Sequence, residues 1–193
     1  MKLINISLIS LLSFSVITGC GGDAPIKGAG SNIPYLKANH LNYKDTTTAT
    51  TPAPTKDLGA QTITWSITAD TETDAIKLFD HIKFMTGKLE TDKNPRPWDE
   101  LFLIDAYMKT NFRYTTDTNR LTNTVTITKA ATDSCAYQVI SAHSDVTKGD
   151  FFAQGIIDID YSPIAQTIIN SPDCLASKPA LDAYILARKK AKM

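Results

Sequence analysis

The stretch "WDELFLIDAYMKT", residues 98–110, decides the architecture of this chain. We predict that it is a helix, because Pro97 precedes it and Asp99 and Glu100 lie in its first turn. Its apolar residues occupy nearly every side of that helix: Leu101, Phe102, Leu103, Ile104, Ala106, Tyr107 and Met108. A helix that is apolar all round is a buried one. We therefore expect this segment at the centre of a folded domain.

A strand and an amphipathic helix precede the central segment. In "QTITWSIT", residues 61–68, apolar residues alternate with threonine and serine, which is the period of a half-buried strand. Asp70 or Thr71 can cap the helix that follows. The apolar residues of that helix recur at helical spacing: Ala75, Phe79, Ile82, Met85 and Leu89. These elements predict a sheet with a helix packed against it.

Further strands are predicted after the central segment. Phe112 and Tyr114 alternate in a strand, "TDTNR" at 116–120 forms a turn, and a return strand follows. "CAYQVIS" at 135–141 and "FFAQGIIDID" at 151–160 predict two more strands. Consecutive strands joined by short turns favour antiparallel pairing.

Two short helices close the chain. Ser162 and Pro163 open one of them, and the other begins at about Pro179. The order of elements predicts an α+β fold, in which helices pack on one face of a mostly antiparallel sheet of four or five strands. Residues 61–193 have the length of one domain, and we expect a single one there.

The first twenty residues have the composition of a secretory signal. Lys2 supplies a positive start, and an apolar run from Leu3 to Val16 is diluted by serines. A transmembrane helix needs roughly 20 predominantly apolar residues, so this run is too short to span a bilayer. It suits the apolar centre of a signal peptide, which takes no part in the fold.

The end of that signal carries a short motif. Ile17, Thr18, Gly19 and Cys20 give an aliphatic residue, a small residue, glycine and cysteine. This pattern resembles the lipobox of bacterial lipoproteins. The resemblance implies that residues 1–19 are removed and that the Cys20 thiol carries diacylglycerol. It covers only the first twenty-odd residues and implies nothing about the domain behind them.

The lipid would decide where the protein resides. Two or more acyl chains, such as palmitate, hold a protein firmly on a membrane. Gly21 follows Cys20, where some enteric lipoproteins of the inner membrane have aspartate. The resemblance therefore implies an outer-membrane lipoprotein of the cell envelope, on either side of that membrane.

A segment of different composition follows the lipid site. Residues 20–60 are rich in Gly, Ala, Pro, Thr, Asn and Lys, and "DTTTATTPAPT" at 45–55 is almost only threonine, alanine and proline. Such a segment buries too little apolar surface to offset its ordering entropy, so we predict a flexible tether. Two apolar islands, "IPYL" at 33–36 and "LNY" at 41–43, either dock back on the domain or serve as a recognition motif for a partner.

The cysteine count is explained by a lipid and a disulfide. With Cys20 acylated, Cys135 and Cys174 remain, and disulfides persist in an oxidising envelope compartment. We predict a bridge between them, closing a loop of close to 40 residues. A metal site would want more ligands at close spacing, and a nucleophile pair of cysteine with His143 has no local signature.

Candidate catalytic residues are few. "SAHSD" at 141–145 places His143 beside hydroxyl groups and Asp145, although hydrolytic triads are recognised by geometry and not by adjacent letters. Asp105 lies on the predicted buried helix, so it must find a partner or protonate. A structural hydrogen bond, to backbone or to an arginine such as Arg113, is the simpler expectation. His81 is expected to be a partly exposed helix histidine.

The sequence signal for a metal or cofactor site is weaker than that for catalytic residues. Asp158 and Asp160 lie two apart and would share a face of a strand, as a pair of oxygen ligands for Ca²⁺ or Mg²⁺. The simpler expectation is a polar end to the strand, with Asp160 helping to cap the next helix. The chain has no glycine-rich phosphate loop, paired CxxC or zinc-helix motif, so we expect no cofactor.

The charge distribution argues against nucleic acid as a partner. Arg188, Lys189, Lys190 and Lys192 gather at the C-terminal end, and Lys2 leaves with the signal. The other 15 basic residues face 20 acidic ones, so the body of the mature protein is mildly acidic. The C-terminal cations either complement the dipole of the last helix or contact an acidic partner or anionic surface.

We expect the mature protein to have no enzymatic activity. The tether, the small disulfide-linked domain and the lack of catalytic motifs favour an accessory lipoprotein that binds another envelope protein in assembly, secretion or a surface structure. A surface-exposed lipoprotein that binds a ligand or adheres to a host is the alternative. A small envelope hydrolase that uses His143 is the third hypothesis.

Overall fold

A computed structural model describes residues 32–46, 48–50, 61–90 and 96–190 of the chain. The predicted signal peptide, Cys20 and Lys192 lie outside these residues. Within them the chain forms the α+β fold that the order of elements predicts, and its helices pack against an antiparallel sheet. No helix of this described portion combines the length and the apolar character that crossing a bilayer requires.

The described sheet has four positions, in the order β1-β3-β5-β4, and β2 pairs with the same edge of β3 as β1 does. The strands are β1 (Tyr43–Asp45), β2 (Thr48–Thr50), β3 (Gln61–Ala69), β4 (Phe112–Asn119) and β5 (Thr124–Ala131). All the pairings are antiparallel. The predicted alternation of β3 is confirmed, because Ile63, Trp65 and Ile67 are buried while the residues between them are only partly so.

Six α-helices are described: α1 (Ile33–Ala38), α2 (Glu72–Glu90), α3 (Glu100–Tyr107), α4 (Ser134–Val146), α5 (Ser162–Ile169) and α6 (Lys178–Lys190). The prediction of a buried central helix is confirmed in α3, where Leu101, Leu103 and Ile104 have no exposed surface. The Asp99 side chain caps this helix by accepting a hydrogen bond from the backbone N–H of Leu101 at 3.0 Å.

The prediction of a strand at residues 135–141 is wrong, because these residues form most of α4. Asp133 caps the helix and accepts a hydrogen bond from the Ala136 backbone N–H at 2.8 Å. Its apolar residues, including Val139 and Ile140, pack on one side against the core. A short apolar run has the same appearance in a buried strand and in a helix, so periodicity alone did not separate them.

The prediction of a strand at residues 151–160 is also wrong. A π-helical turn (Thr147–Phe152) includes its first two residues, and residues 153–160 form no strand with the described part of the sheet. The Arg96 guanidinium donates hydrogen bonds to the carbonyl oxygens of Ile157 and Ile159, both at 2.6 Å. A side chain distant in sequence thus takes acceptors that a neighbouring strand would otherwise use.

The β4–β5 hairpin turns later than predicted. Strand β4 continues through most of the expected turn to Asn119, and the connection runs from Arg120 to Asn123. Asn123 has a positive φ of 50°, a left-handed conformation that asparagine tolerates better than most residues. The threonine and aspartate residues at the end of β4, which were predicted to form the turn, therefore pair with β5.

The described part of the predicted tether packs on the domain. Leu36 of α1 has no exposed surface, and Tyr43 of β1 is buried. The Tyr35 hydroxyl donates to the Asp74 carboxylate at 2.8 Å, which joins α1 to the first turn of α2. Residues 32–46 therefore extend the domain beyond the expected boundary at residue 61, since both apolar islands find a place in the core.

A close contact holds this N-terminal segment to the π-helical turn. Gly155 has a positive φ of 68°, and a Cβ atom there would lie 2.6 Å from Cδ2 of His40. The Nδ1 atom of His40 lies 3.2 Å from the carbonyl oxygen of Phe152. Glycine adopts this positive φ without strain, and its lack of a Cβ atom leaves room for the His40 ring.

The predicted disulfide is confirmed. Cys135 in the first turn of α4 and Cys174 in a 3₁₀ turn (Pro172–Cys174) are bonded at 2.03 Å. Both residues are buried. The bridge ties α4 to the segment that leads into α6.

Candidate functional site

A cavity of about 310 Å³ lies between α2 and the helix-covered face of the sheet. Trp65, Ile67 and Ile127 line it from β3 and β5, since Trp65 and Ile127 are directly paired and Ile67 lies two residues along. Leu78, Ile82 and Met85 line it from α2, at the spacing of one helical face. The cavity therefore forms where the apolar face of α2 meets the apolar face of the sheet.

A buried polar cluster borders the cavity, built from three different elements. The Asp105 carboxylate of α3 accepts hydrogen bonds from Nζ of Lys129 on β5 at 2.9 and 3.0 Å. The Nδ1 atom of His143 on α4 lies 3.4 Å from the same carboxylate. Burial would raise the pKa of Asp105, but the charge of Lys129 and the contact with His143 outweigh it and hold that pKa below its usual range. The carboxylate is therefore charged at neutral pH.

Aromatic side chains fix the position of the His143 ring. It packs against Phe102 with ring centroids 4.7 Å apart, and Trp65 meets it edge-on at 6.2 Å. The Lys129 ammonium lies 5.8 Å from the centroid of the Trp65 ring. His143 thus presents a restrained imidazole to the cavity, with its Nδ1 side turned toward Asp105.

His81 is a second histidine at the cavity. It lies on the same face of α2 as Leu78 and Met85, and only 9% of its surface is exposed. Its Nδ1 atom is buried and has no hydrogen-bond partner among the described residues. Burial lowers the pKa of His81 to about 4, so the ring is neutral at pH 7. The expectation of a partly exposed helix histidine is wrong, because α2 turns this position toward the sheet.

Arg96 closes one side of the site. Its guanidinium pairs with the Asp99 carboxylate at 3.1 Å and lies 4.6 Å from the centroid of the Phe102 ring. Its bonds to the carbonyls of Ile157 and Ile159 hold that segment beside α3. Because Ile157 also lines the cavity, Arg96 fixes part of the cavity wall.

The hydroxyl groups at the described cavity wall are bonded to other groups. Thr86 donates to the carbonyl oxygen of Ile82 at 2.9 Å, and Thr147 donates to that of His143 at 2.7 Å. The Tyr161 hydroxyl donates to Asp150 at 3.0 Å. Each hydroxyl hydrogen is thus directed to a neighbour within its own part of the fold.

The structure brings together two of the three candidate catalytic residues. Asp105 and His143 meet at the cavity, whereas Asp145 is exposed on α4 and does not line it. Lys129 is a charged partner of Asp105, and the side chain of Arg113, the expected partner, lies outside the described part of the structure. Sequence reasoning missed Lys129, although its position gave a signal, since it shares a face of β5 with the buried Val125.

The candidate metal ligands serve other roles. Asp158 is exposed and pairs with Lys37 at 3.3 Å. Asp160 accepts hydrogen bonds from the backbone N–H of Ser162 at 3.0 Å and from its hydroxyl at 2.6 Å, at the start of α5. In residues 32–46, 48–50, 61–90 and 96–190, no three histidine, cysteine, aspartate or glutamate residues cluster as metal ligands would.

The C-terminal cations do not form one uniform surface. Lys189 forms an ion pair with the buried Glu100 carboxylate at the start of α3. The Arg188 guanidinium lies 4.9 Å from the centroid of the Tyr184 ring. Lys190 is the last residue of α6. At least Lys189 therefore contributes to fixing α6 on α3.

The chain matches no family model, no curated protein and no solved structure. The cavity and its polar residues are therefore the basis for assigning a function.

Proposed function

We propose that this protein is an exported lipoprotein whose domain binds a small, predominantly apolar molecule in the cavity between α2 and the sheet. The observation that carries this proposal is the cavity itself. Its volume of about 310 Å³ falls at the lower end of ligand sites, which occupy roughly 300–1,000 Å³. An apolar cavity of roughly 150 Å³ already binds benzene, so this one has room for a substituted aromatic ring or a short alkyl chain.

The chemistry of the lining supports an apolar ligand. Most side chains around the cavity are aliphatic or aromatic and supply most of its surface, and eight polar or charged side chains lie among them. Such a lining is typical of ligand sites, where apolar residues supply affinity and a few polar groups supply specificity. Each CH₂ group that moves from water into the cavity contributes about 0.8 kcal/mol.

Anchoring through Cys20 is the second half of the proposal. It rests on the lipobox pattern of Ile17 to Cys20 and on the disulfide, which suits an oxidising envelope compartment. Diacylglycerol on Cys20 would hold the cavity near an outer-membrane surface. A binding protein placed there samples small apolar molecules that partition into or cross the membrane.

A small hydrolase is the second candidate, favoured by one contact. The 3.4 Å separation of His143 Nδ1 and Asp105 is the arrangement of a histidine oriented by a carboxylate. Binding has stronger support, because the described hydroxyl groups at the cavity donate elsewhere and Lys129 shares the Asp105 carboxylate. Cleavage of para-nitrophenyl butyrate by the wild type, abolished in His143→Gln with the fold retained, would favour the hydrolase.

The hypothesis of an accessory lipoprotein that binds another envelope protein has less support. Lys189, one of the residues proposed for that contact, is paired with Glu100. The most exposed large apolar side chains, Leu41, Leu121, Leu175 and Leu186, belong to four different parts of the chain. Mild crosslinking in native membranes tests this alternative, which predicts one reproducible protein adduct that disappears when Lys190 and Lys192 are replaced by glutamine.

Ligand-induced stabilisation tests the cavity. Benzene, toluene and para-propyltoluene form a series of probes of graded size. At a free concentration near 100 times Kd, a probe stabilises the folded state by about 2.7 kcal/mol, which raises Tm by roughly 5–10 °C. Ile127→Phe fills the cavity and should abolish that increase.

A matched variant controls for the added aromatic ring. Leu121→Phe places the same ring on the exposed hairpin connection, and it should respond to the probes as the wild type does. The proposal is wrong if no probe raises the Tm of the wild type above the response of Ile127→Phe.

A further inference from the structure

Strand β4 ends the described sheet on one side, and its outer edge has no strand partner among the described residues. Its eight residues, Phe112–Asn119, pair with β5 in one continuous register and include neither a bulge nor a proline. The edge of a sheet presents a row of backbone N–H and C=O groups, which is a template for pairing with another chain. Bulges and prolines are devices that interrupt such a row, and the described edge of β4 has neither.

The hydrogen bonds of the hairpin show which residues of β4 face that edge. The Thr132 N–H donates to the Asn111 carbonyl oxygen at 2.9 Å, at the register position next to the start of β4. Backbone groups point to alternate sides along a strand, so the odd-numbered residues of β4 bond to β5. The even-numbered ones direct their N–H and C=O groups outward. In agreement with this alternation, the Thr118 N–H donates to the Asp117 side chain at 2.8 Å.

The odd-numbered positions of β4 belong to the polar face of the sheet. The buried residues of β5, such as Val125, pair with the even-numbered positions of β4 and belong to the other face. Thr115 and Asp117 are exposed. The register places Arg113 two residues before Thr115 and Asp117 two residues after it, so opposite charges flank Thr115 on one face.

An antiparallel copy of this edge is complementary to it. When two β4 strands pair about Thr115, Arg113 of each chain occupies the position opposite Asp117 of the other. Tyr114 then lies opposite Thr116 of the second copy, so the outward-facing residues exchange backbone hydrogen bonds, as an antiparallel ladder requires. Opposite charges at directly facing positions stabilise a strand pair, and like charges destabilise it. Pairing about Tyr114 or Thr116 would keep the backbone pattern but would separate the charges.

We infer that two copies of this chain associate through β4, antiparallel and centred on Thr115, into one sheet that is continuous across both. This inference goes beyond the proposed function and does not depend on it. On association, Asp117 releases the Thr118 N–H to the second copy and takes Arg113 of that copy as its partner. The two-fold axis runs perpendicular to the sheet, so the helices and cavities of both copies lie on the same side.

A cysteine at the two-fold axis tests this register. Facing residues of such a pair have Cβ atoms roughly 4.5–5.5 Å apart, close to the separation of about 3.5–4.5 Å in a disulfide. We expect Thr115→Cys, expressed as the full chain and oxidised with copper phenanthroline in intact cells, to form a dimer that reduction converts to monomer. Asn119→Cys is also exposed on this face but would lie roughly 27 Å from its copy, so it should form no more dimer than the wild type. The wild type measures any background from Cys20.

Charge variants test the pairing of positions 113 and 117. In the Thr115→Cys background, Arg113→Asp alone or Asp117→Arg alone places like charges opposite each other and should lower the dimer yield roughly fivefold. Co-expression of these two chains restores opposite charges at both positions. The mixed dimer, identified by a different affinity tag on each chain, should therefore form with the yield of the Thr115→Cys parent.

The inference is overturned if Thr115→Cys forms no more dimer than the wild type, or if Asn119→Cys forms as much. A mixed dimer that is no more abundant than the dimers of the single charge variants would overturn it as well, because the charges would not set the register. An adduct with the mass of this chain plus a different protein, in place of the dimer, would mean that the edge accepts another partner. None of these outcomes bears on ligand binding in the cavity.

Discussion

Asp105 is a carboxylate in a helix that is otherwise apolar, and 1% of its surface is exposed. Lys129 makes that burial tolerable, because its ammonium donates to both carboxylate oxygens. Breaking a buried ion pair by removing one partner leaves an uncompensated charge, whereas replacing both partners by apolar residues is often neutral or stabilising. Removing either partner alone is therefore expected to destabilise the fold, and the pair fixes α3 on β5.

A single variant and a double variant test this dependence. We predict that Lys129→Met lowers the free energy of unfolding by about 3–5 kcal/mol, because it leaves Asp105 buried without its cation. Adding Asp105→Leu should recover most of that loss. Urea unfolding at pH 7 measures both variants. A single variant as stable as the double variant would show that His143 alone compensates the carboxylate.

His81 predicts a pH dependence of stability. Its pKa of about 4 in the folded state lies below the ordinary value of 6.5, so the unfolded state binds the proton more readily between these values. The free energy of unfolding should fall by up to about 3 kcal/mol as the pH decreases from 6.5 to 4. Chemical denaturation at several pH values measures the slope.

His81→Phe supplies the control for that slope. It should flatten the dependence above pH 4, whereas the contribution of Asp105, whose pKa is also lowered on folding, is lost only at more acid pH and should persist. An equally steep fall between pH 6.5 and 4 in the variant would mean that another group titrates there.

At the scale of elements, the disulfide joins α4 to the 3₁₀ turn that precedes α6. It ties the first turn of α4 to the segment before α6, across 39 residues of sequence. In the chain-entropy model, a loop of this length contributes about 4 kcal/mol. The bridge thus restrains α4, which carries His143 to the cavity.

Removal of the bridge tests that contribution. We predict that the Cys135→Ala, Cys174→Ala variant loses about 4 kcal/mol of stability, with the same loss when the wild type is reduced. Cys20→Ser in both proteins serves as the background, so that no other thiol interferes. Thiol labelling of the denatured, unreduced background protein should detect no free thiol. Two labelled thiols would contradict the bridge.

Local patterns in the sequence predicted the elements whose periodicity is long or strict. Strand β3 and helix α2 follow from alternation and from helical spacing, and α3 follows from its apolar circumference. The segments 135–141 and 151–160 were misassigned, because a short apolar run does not distinguish a strand from a helix and because the hydrogen bonds of Arg96 lie outside any local pattern.

The candidate site could be predicted only in part, for a related reason. Asp105 and His143 stood out one by one, through a predicted buried charge and a cluster of polar residues. Their proximity depends on how α3 and α4 pack on the sheet, which no local pattern encodes. The cavity itself results from side chains of α2 and the sheet that fail to fill the space between them.

At the scale of the whole molecule, the proposed function places a ligand-binding domain behind a membrane anchor at Cys20. The described part of the chain begins at residue 32, and Leu36 and Tyr43 fix it to the core. Eleven residues separate Cys20 from that point, fewer than the 40 of the predicted tether. The domain would therefore lie closer to the headgroups than the sequence suggested, within reach of membrane-associated ligands.

The anchor is tested by its chemistry. We predict that Cys20→Ala yields a protein without the acyl mass, either uncleaved or released from the membrane fraction. Intact-mass analysis of the mature wild type should show residue 20 as an acylated N-terminus. A native mature chain with an unmodified Cys20 would contradict the lipoprotein proposal and leave the cavity unaffected.

The most direct test of the cavity as a binding site is an NMR measurement on the wild type with bound para-propyltoluene. We predict nuclear Overhauser contacts from the probe to the methyl groups of Leu78, Ile82 and Ile127, and none to those of the exposed Leu121. Contacts confined to Leu121 and other exposed side chains, with none inside the cavity, would contradict the claim that this domain binds small apolar molecules between α2 and the sheet.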